Sequence, residues 1–84
     1  MRMSAEMYQS VKSAMVRVVE LAGGIDVVNS HYANKSRTYK LWEVLHAGMT
    51  RVASPFGYAD LYKDGLNDSH IETAIKRIGT ELGL

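Results

Sequence analysis

Apolar residues recur along this chain every three or four positions, in runs broken by glycine and by its one proline. That spacing is helical, since strands would alternate with a period of two. In the first run Tyr8, Val11, Met15, Val18 and Ala22 form a stripe, with Met7, Ala14 and Leu21 beside it. Glu6, Gln9, Lys12, Ser13, Arg17 and Glu20 fall mostly on the opposite side. Ser4 is placed to cap this helix, and Gly23-Gly24 to stop it, because glycine adopts the left-handed conformation at little cost. A second, short helix is expected from Ile25 to Tyr32, with Ile25, Val28 and Tyr32 inward. Ala33-Asn34-Lys35 reads as a turn, with Asn34 suited to a left-handed conformation. A third helix starts at a Ser36 cap, turns Thr38, Leu41, Trp42, Leu45 and Met49 inward, and ends near Met49 or Val52. Ser54-Pro55-Phe56-Gly57 is a break. Tyr58 to Lys63 forms a turn or two of helix, closed by Asp64-Gly65. The last helix carries Ser69 and Glu72 at capping-box spacing and an apolar stripe of Ile71, Ala74, Ile75, Ile78 and Leu82. The predicted fold is all-α, a single small domain of four to five short helices spanning residues 1–84.

Size and composition narrow the function. With 84 residues there is room for one lean core, since folding at this size buries only about 60–65% of the unfolded chain's surface. Hydrophobic residues at 46% and charged residues at 23% are globular values. There is no cysteine, which excludes disulfides, thiolate metal sites and thiol nucleophiles. The longest apolar stretch, 14–22, is interrupted by Arg17 and Glu20 and falls short of the roughly 20 residues that span a membrane. The start of the chain has no signal-peptide pattern, so a cytoplasmic protein without a membrane partner is expected.

Catalytic chemistry finds little support. His31, His46 and His70 include no pair three or four residues apart, so no helix face presents a local metal pair. Asp60, Asp64, Asp68 and Glu72 recur every fourth residue, but Gly65 and the following cap interrupt any helix that would align them. They also lack the ligand spacing of a calcium loop. No phosphate-cradling glycine loop and no nucleophile–base arrangement is present. The chain is therefore read as a non-enzyme that uses no metal and no cofactor.

Charge distribution says more. The formal net charge is only +1. Between residues 27 and 59, however, Lys35, Arg37, Lys40 and Arg51 face Glu43 alone, a local balance of +3. Between 60 and 72 the balance is −3. A basic helix start can neutralise nucleic-acid phosphates.

The stretch from Leu21-Ala22-Gly23-Gly24 to Thr38-Tyr39-Lys40-Leu41-Trp42-Glu43, about a quarter of the chain, resembles the Cro/repressor-type helix-turn-helix regulators of phages and plasmids. In that family a short helix braces a second one whose first residues enter the major groove. The order after the turn is polar residues, a branched apolar residue, then often tryptophan and glutamate. The resemblance implies a helix-turn-helix-like core with Val28, Tyr32, Tyr39 and Trp42 inward. It implies a recognition helix from about residue 36 and a homodimer on double-stranded DNA. Lys35, Ser36, Arg37, Thr38 and Lys40 would face the groove, Arg37 suiting a guanine edge and Lys35 and Lys40 suiting phosphates. The sequence departs from the family at Ala33, where glycine is usual, at Asn29, where a small alanine is usual, and at Asn34 and Tyr39.

A second placement, Tyr58 to Ile71 with Gly65 at the turn, resembles the core of winged-helix regulators and would extend over 58–77. Its recognition helix would start on Asn67, Asp68, Ser69 and His70, an acidic approach to phosphate, and it ranks below the first. The alternative function is a small helical interaction module, an accessory subunit or inhibitor that binds a protein partner through Phe56, Tyr58 and Tyr62 and binds no DNA. Against it, a small core needs its large side chains, so Phe56 and Tyr58 are better suited to plugging the interior.

Overall fold

In the computed structural model, which describes residues 3–52, 54–63 and 65–84, the chain forms five α-helices and no strand among the described residues. They are α1 (Ala5–Ala22), α2 (Ile25–His31), α3 (Arg37–Thr50), α4 (Tyr58–Leu61) and α5 (Asp68–Leu82). The all-α architecture expected from the periodicity is present. No described helix is long and apolar enough to cross a membrane.

The first two helices start and stop for the reasons their sequences suggest. Ser4 Oγ accepts from the Met7 N–H at 3.1 Å. Gly23 closes α1 at φ 108°, a backbone conformation that side chains with a Cβ rarely adopt, and its N–H returns to the Glu20 carbonyl. α2 ends one residue earlier than expected, with Tyr32 as its cap. The turn to α3 uses no left-handed residue: Asn34, like every described non-glycine residue, has negative φ. It closes instead through the Lys35 N–H, which donates to the Tyr32 carbonyl at 2.9 Å.

The largest contact is between α1 and α3, with α5 packed on α3 and more lightly on α1, and α2 on α1. Val11, Met15, Leu41, Leu45, Leu61, Ile71, Ile75 and Ile78 are fully buried at the centre. Burying each such side chain is worth about 1.5–3 kcal/mol relative to exposing it. In α3 the inward face is rotated from the expected one. Leu41, Val44, Leu45 and Gly48 are buried, while Thr38, Trp42 and Met49 lie half-buried at its margin. Gly48 explains the rotation. A Cβ there would lie 3.3 Å from the Ala14 Cβ and 3.4 Å from its carbonyl carbon, so hydrogen at this position lets α3 press onto α1. Gly79 plays the same part between α5 and α3, where Leu41 fills the space a Cβ would need.

The last helix begins two residues before the expected Ser69–Glu72 box. Asn67 is extended (φ −118°, ψ 175°), and its Oδ1 accepts from the His70 N–H at 3.1 Å. His70 Nδ1 accepts from the Asn67 N–H at 3.3 Å, completing a reciprocal cap with imidazole in place of carboxylate. Glu72 pairs with Lys76 at 2.9 Å instead.

Candidate nucleic-acid interface

Helix α3 begins on Ser36, extended at ψ 155°, whose Oγ accepts from the Tyr39 N–H at 3.1 Å. Its first turn holds no acid, so the positive end of the helix dipole is not offset there. Lys35, Ser36 and Arg37 are exposed, and Thr38 and Lys40 half-buried. The structure thus gathers all five expected groove residues at one helix start but engages them differently.

Arg37 turns toward α5. Its Nε donates to the Leu84 main-chain oxygen at 3.1 Å, and its Nη2 donates to the Thr80 Oγ1 at 2.7 Å and the Lys76 carbonyl at 3.3 Å. One edge of the guanidinium therefore ties the start of α3 to the end of α5. Only Nη1 has no acceptor among the described residues. A bidentate contact from Arg37 to a guanine edge, as the resemblance implies, would have to break this clasp.

Lys40 Nζ donates to Asn29 Oδ1 at 2.6 Å, and Asn29 Nδ2 donates to the Gly83 carbonyl at 3.1 Å. Asn29, which stands where the family usually has alanine, bridges α2, α3 and the end of α5. Burial, reinforced by the Arg37 charge, holds the Lys40 ammonium below the ordinary lysine pKa. Two like charges are thus kept close with no aspartate or glutamate side chain paired to either among the described residues.

Tyr39 was expected inward and lies outward, 46% exposed. The rotation of α3 onto Gly48 puts Leu41 and Val44 in the core and carries Tyr39 to the surface. Lys35 Nζ sits 5.4 Å from the Tyr39 ring centroid, and Tyr32 meets Tyr39 edge-on at 6.3 Å. His31 packs edge-on against Tyr32 at 4.7 Å. A cation and three aromatic rings therefore run along the α2–α3 turn. Tyr39 is the residue the sequence reasoning missed. Its phenol, a poor substitute for the small branched residue usual there, was the available signal.

The ion pairs set this region apart. Lys12, Arg17, Lys63, Lys76 and Arg77 each have a carboxylate within 2.8 to 3.4 Å. Lys35, Arg37, Lys40 and Arg51 have no Asp or Glu side chain paired to them among the described residues. All four lie on α3 or within two residues of its ends.

The other predicted residues are placed as follows. Phe56 and Tyr58 are half-buried against the core, Tyr58 stacking on His46 at 5.7 Å. Tyr62 is 42% exposed and donates to Asp68 Oδ1 at 2.7 Å. They do not form an exposed trio. In the second helix-turn-helix placement α4 has only four residues, and α5 opens on Asp68. Asp60 there accepts from the Gly57 N–H at 2.7 Å and pairs with Lys63. Among the described residues no group of three or more metal-ligating side chains converges. No family model, curated protein or solved structure matches the chain.

Proposed function

We propose that this protein is a small DNA-binding regulator that engages duplex phosphates through the start of α3. The observation that carries the reading is the set of cations on and beside α3 with no paired Asp or Glu side chain among the described residues. Holding Arg37 beside a partly desolvated Lys40 costs free energy that a phosphate between them would recover. Lys35 and Lys40 are the phosphate contacts. The Ser36 hydroxyl accepts in its cap and keeps its own hydrogen to donate outward. Tyr39 offers a second hydroxyl on the same exposed turn. Thr38, half-buried, supports the turn, and Arg37 positions the helix while offering Nη1 to a phosphate.

Fluorescence anisotropy of a labelled duplex across a salt series tests this. About three phosphate contacts per chain give a slope of log K against log salt near −3, and Lys35→Ala and Lys40→Ala each lower it by about one. Absence of binding to any duplex at low salt removes the reading.

One observation favours a protein contact as well. A groove of about 280 Å³ runs between α1, α2 and α3, and Val27, which lines it, is 49% exposed. Exposed aliphatic surface of this kind is where chains meet.

A further inference from the structure

We infer that the groove between α1, α2 and α3 docks a second copy of this chain, with the two α3 helices antiparallel about Ala47. Glu43, Ala47 and Arg51 line the groove at successive four-residue intervals, so they form one stripe along α3. Neither Glu43 nor Arg51 has an ion-pair partner among the described residues. They stand at equal distances on either side of a small residue and carry opposite charges. A two-fold axis through Ala47 lays Glu43 on the partner's Arg51, and Arg51 on the partner's Glu43. No parallel pairing satisfies both charges. An isologous contact requires this kind of self-complementarity. Ala47 lets the helix axes come within about 8–10 Å. The apolar area comes from Val18, Ala22 and Val27 in the groove.

The arrangement has a consequence that rests on the DNA reading above. Ser36 precedes Ala47 by eleven residues, so each α3 start lies about 16 Å from the axis. The two basic ends then fall about 34 Å apart on the same side of the dimer. That is the spacing of one turn of B-DNA, about 34–36 Å between half-sites.

Sedimentation equilibrium of the full chain, from low micromolar to high concentration, is the test, with circular dichroism confirming that each variant folds. Wild type self-associates to a dimer. Arg51→Glu and Glu43→Arg each set like charges together twice and raise the dimer Kd by about tenfold or more. The double swap, Glu43→Arg with Arg51→Glu, restores the dimer to within a few-fold of wild type. A monomer at every concentration, a dimer indifferent to the single swaps, or a double swap that fails to restore it overturns the inference. The anisotropy series on wild type separates the two ideas. A monomer that binds duplex with a salt slope sinks the dimer and keeps the DNA reading. A charge-swap-sensitive dimer that ignores duplex keeps the dimer and sinks the DNA reading.

Discussion

Replacing Arg37 with alanine removes the clasp between the start of α3 and the end of α5. Three hydrogen bonds disappear, to the Leu84 and Lys76 main-chain oxygens and the Thr80 hydroxyl. Each is worth about 0.5–1.5 kcal/mol net in a protein. Arg37 is exposed, and water replaces part of each bond, which favours the low end of that range. Removing its charge also relieves the repulsion on Lys40, a gain of opposite sign. The net loss comes to about 1–1.5 kcal/mol. For a domain of this size that lowers Tm by about 4–12 °C. Arg37→Lys keeps the charge, but a single ammonium cannot span the three acceptors, so it recovers less than half of the loss. Thermal unfolding followed by circular dichroism reads both variants. If Arg37→Ala melts with wild type, the clasp contributes nothing in solution. Arg37 then projects freely, as the helix-turn-helix resemblance implied.

Three further outcomes follow from named contacts. Gly79→Ala gains about 1 kcal/mol of helix propensity but drives a methyl into Leu41, an overpacking cost of about 1–3 kcal/mol. Urea denaturation is expected to show a net loss of about 1 kcal/mol, smaller in a Leu41→Val background; a stabilised Gly79→Ala would mean that α5 stands further from α3. NMR titration of the Lys40 ammonium should find its pKa below the ordinary lysine value and raised by Arg37→Ala or by bound duplex; an unshifted value would mean that Lys40 is not desolvated, and a value indifferent to Arg37→Ala that the two residues do not interact. Asp60 is held below its ordinary pKa first by Lys63 and then by the Gly57 N–H, and Glu81 is held below its own chiefly by Lys12. A carboxylate whose folded pKa is depressed contributes stability above its unfolded pKa and loses it as pH falls through the folded value. Stability should therefore drop on acidification through and below pH ~4, and Lys12→Ala should weaken that dependence, as equilibrium unfolding at stepped pH would reveal.

Much of the fold was legible because helix ends are written in single residues. Ser4, Gly23 and Ser36 each announce a cap that depends on local geometry alone. The inward face of α3 was not legible in the same way. Periodicity locates a stripe, but the stripe's rotation depends on how closely a neighbour approaches. That approach is set by Gly48 against Ala14, thirty-four positions away in sequence. The same rotation exposes Tyr39, so a tertiary contact overrode the inward position that the family resemblance implied. The last helix was misplaced by two residues because two overlapping caps compete there. Asn67 with His70 and Ser69 with Glu72 both have the required spacing, and only the extended backbone at Asn67 decides. At the candidate site the residue types could be read and their engagements could not. Arg37 and Lys40 find acceptors on α5 and α2, contacts that no spacing within α3 reveals.

The proposed meeting of the α3 start with nucleic acid is open to a direct test. Backbone amide shifts of the isotope-labelled protein, recorded while unlabelled duplex is added at low salt, test it residue by residue. Fast-exchange shifts concentrated on Lys35 to Lys40 and reversed by added salt are expected. An unchanged spectrum, or shifts confined to the Tyr62–His70 region, would contradict it.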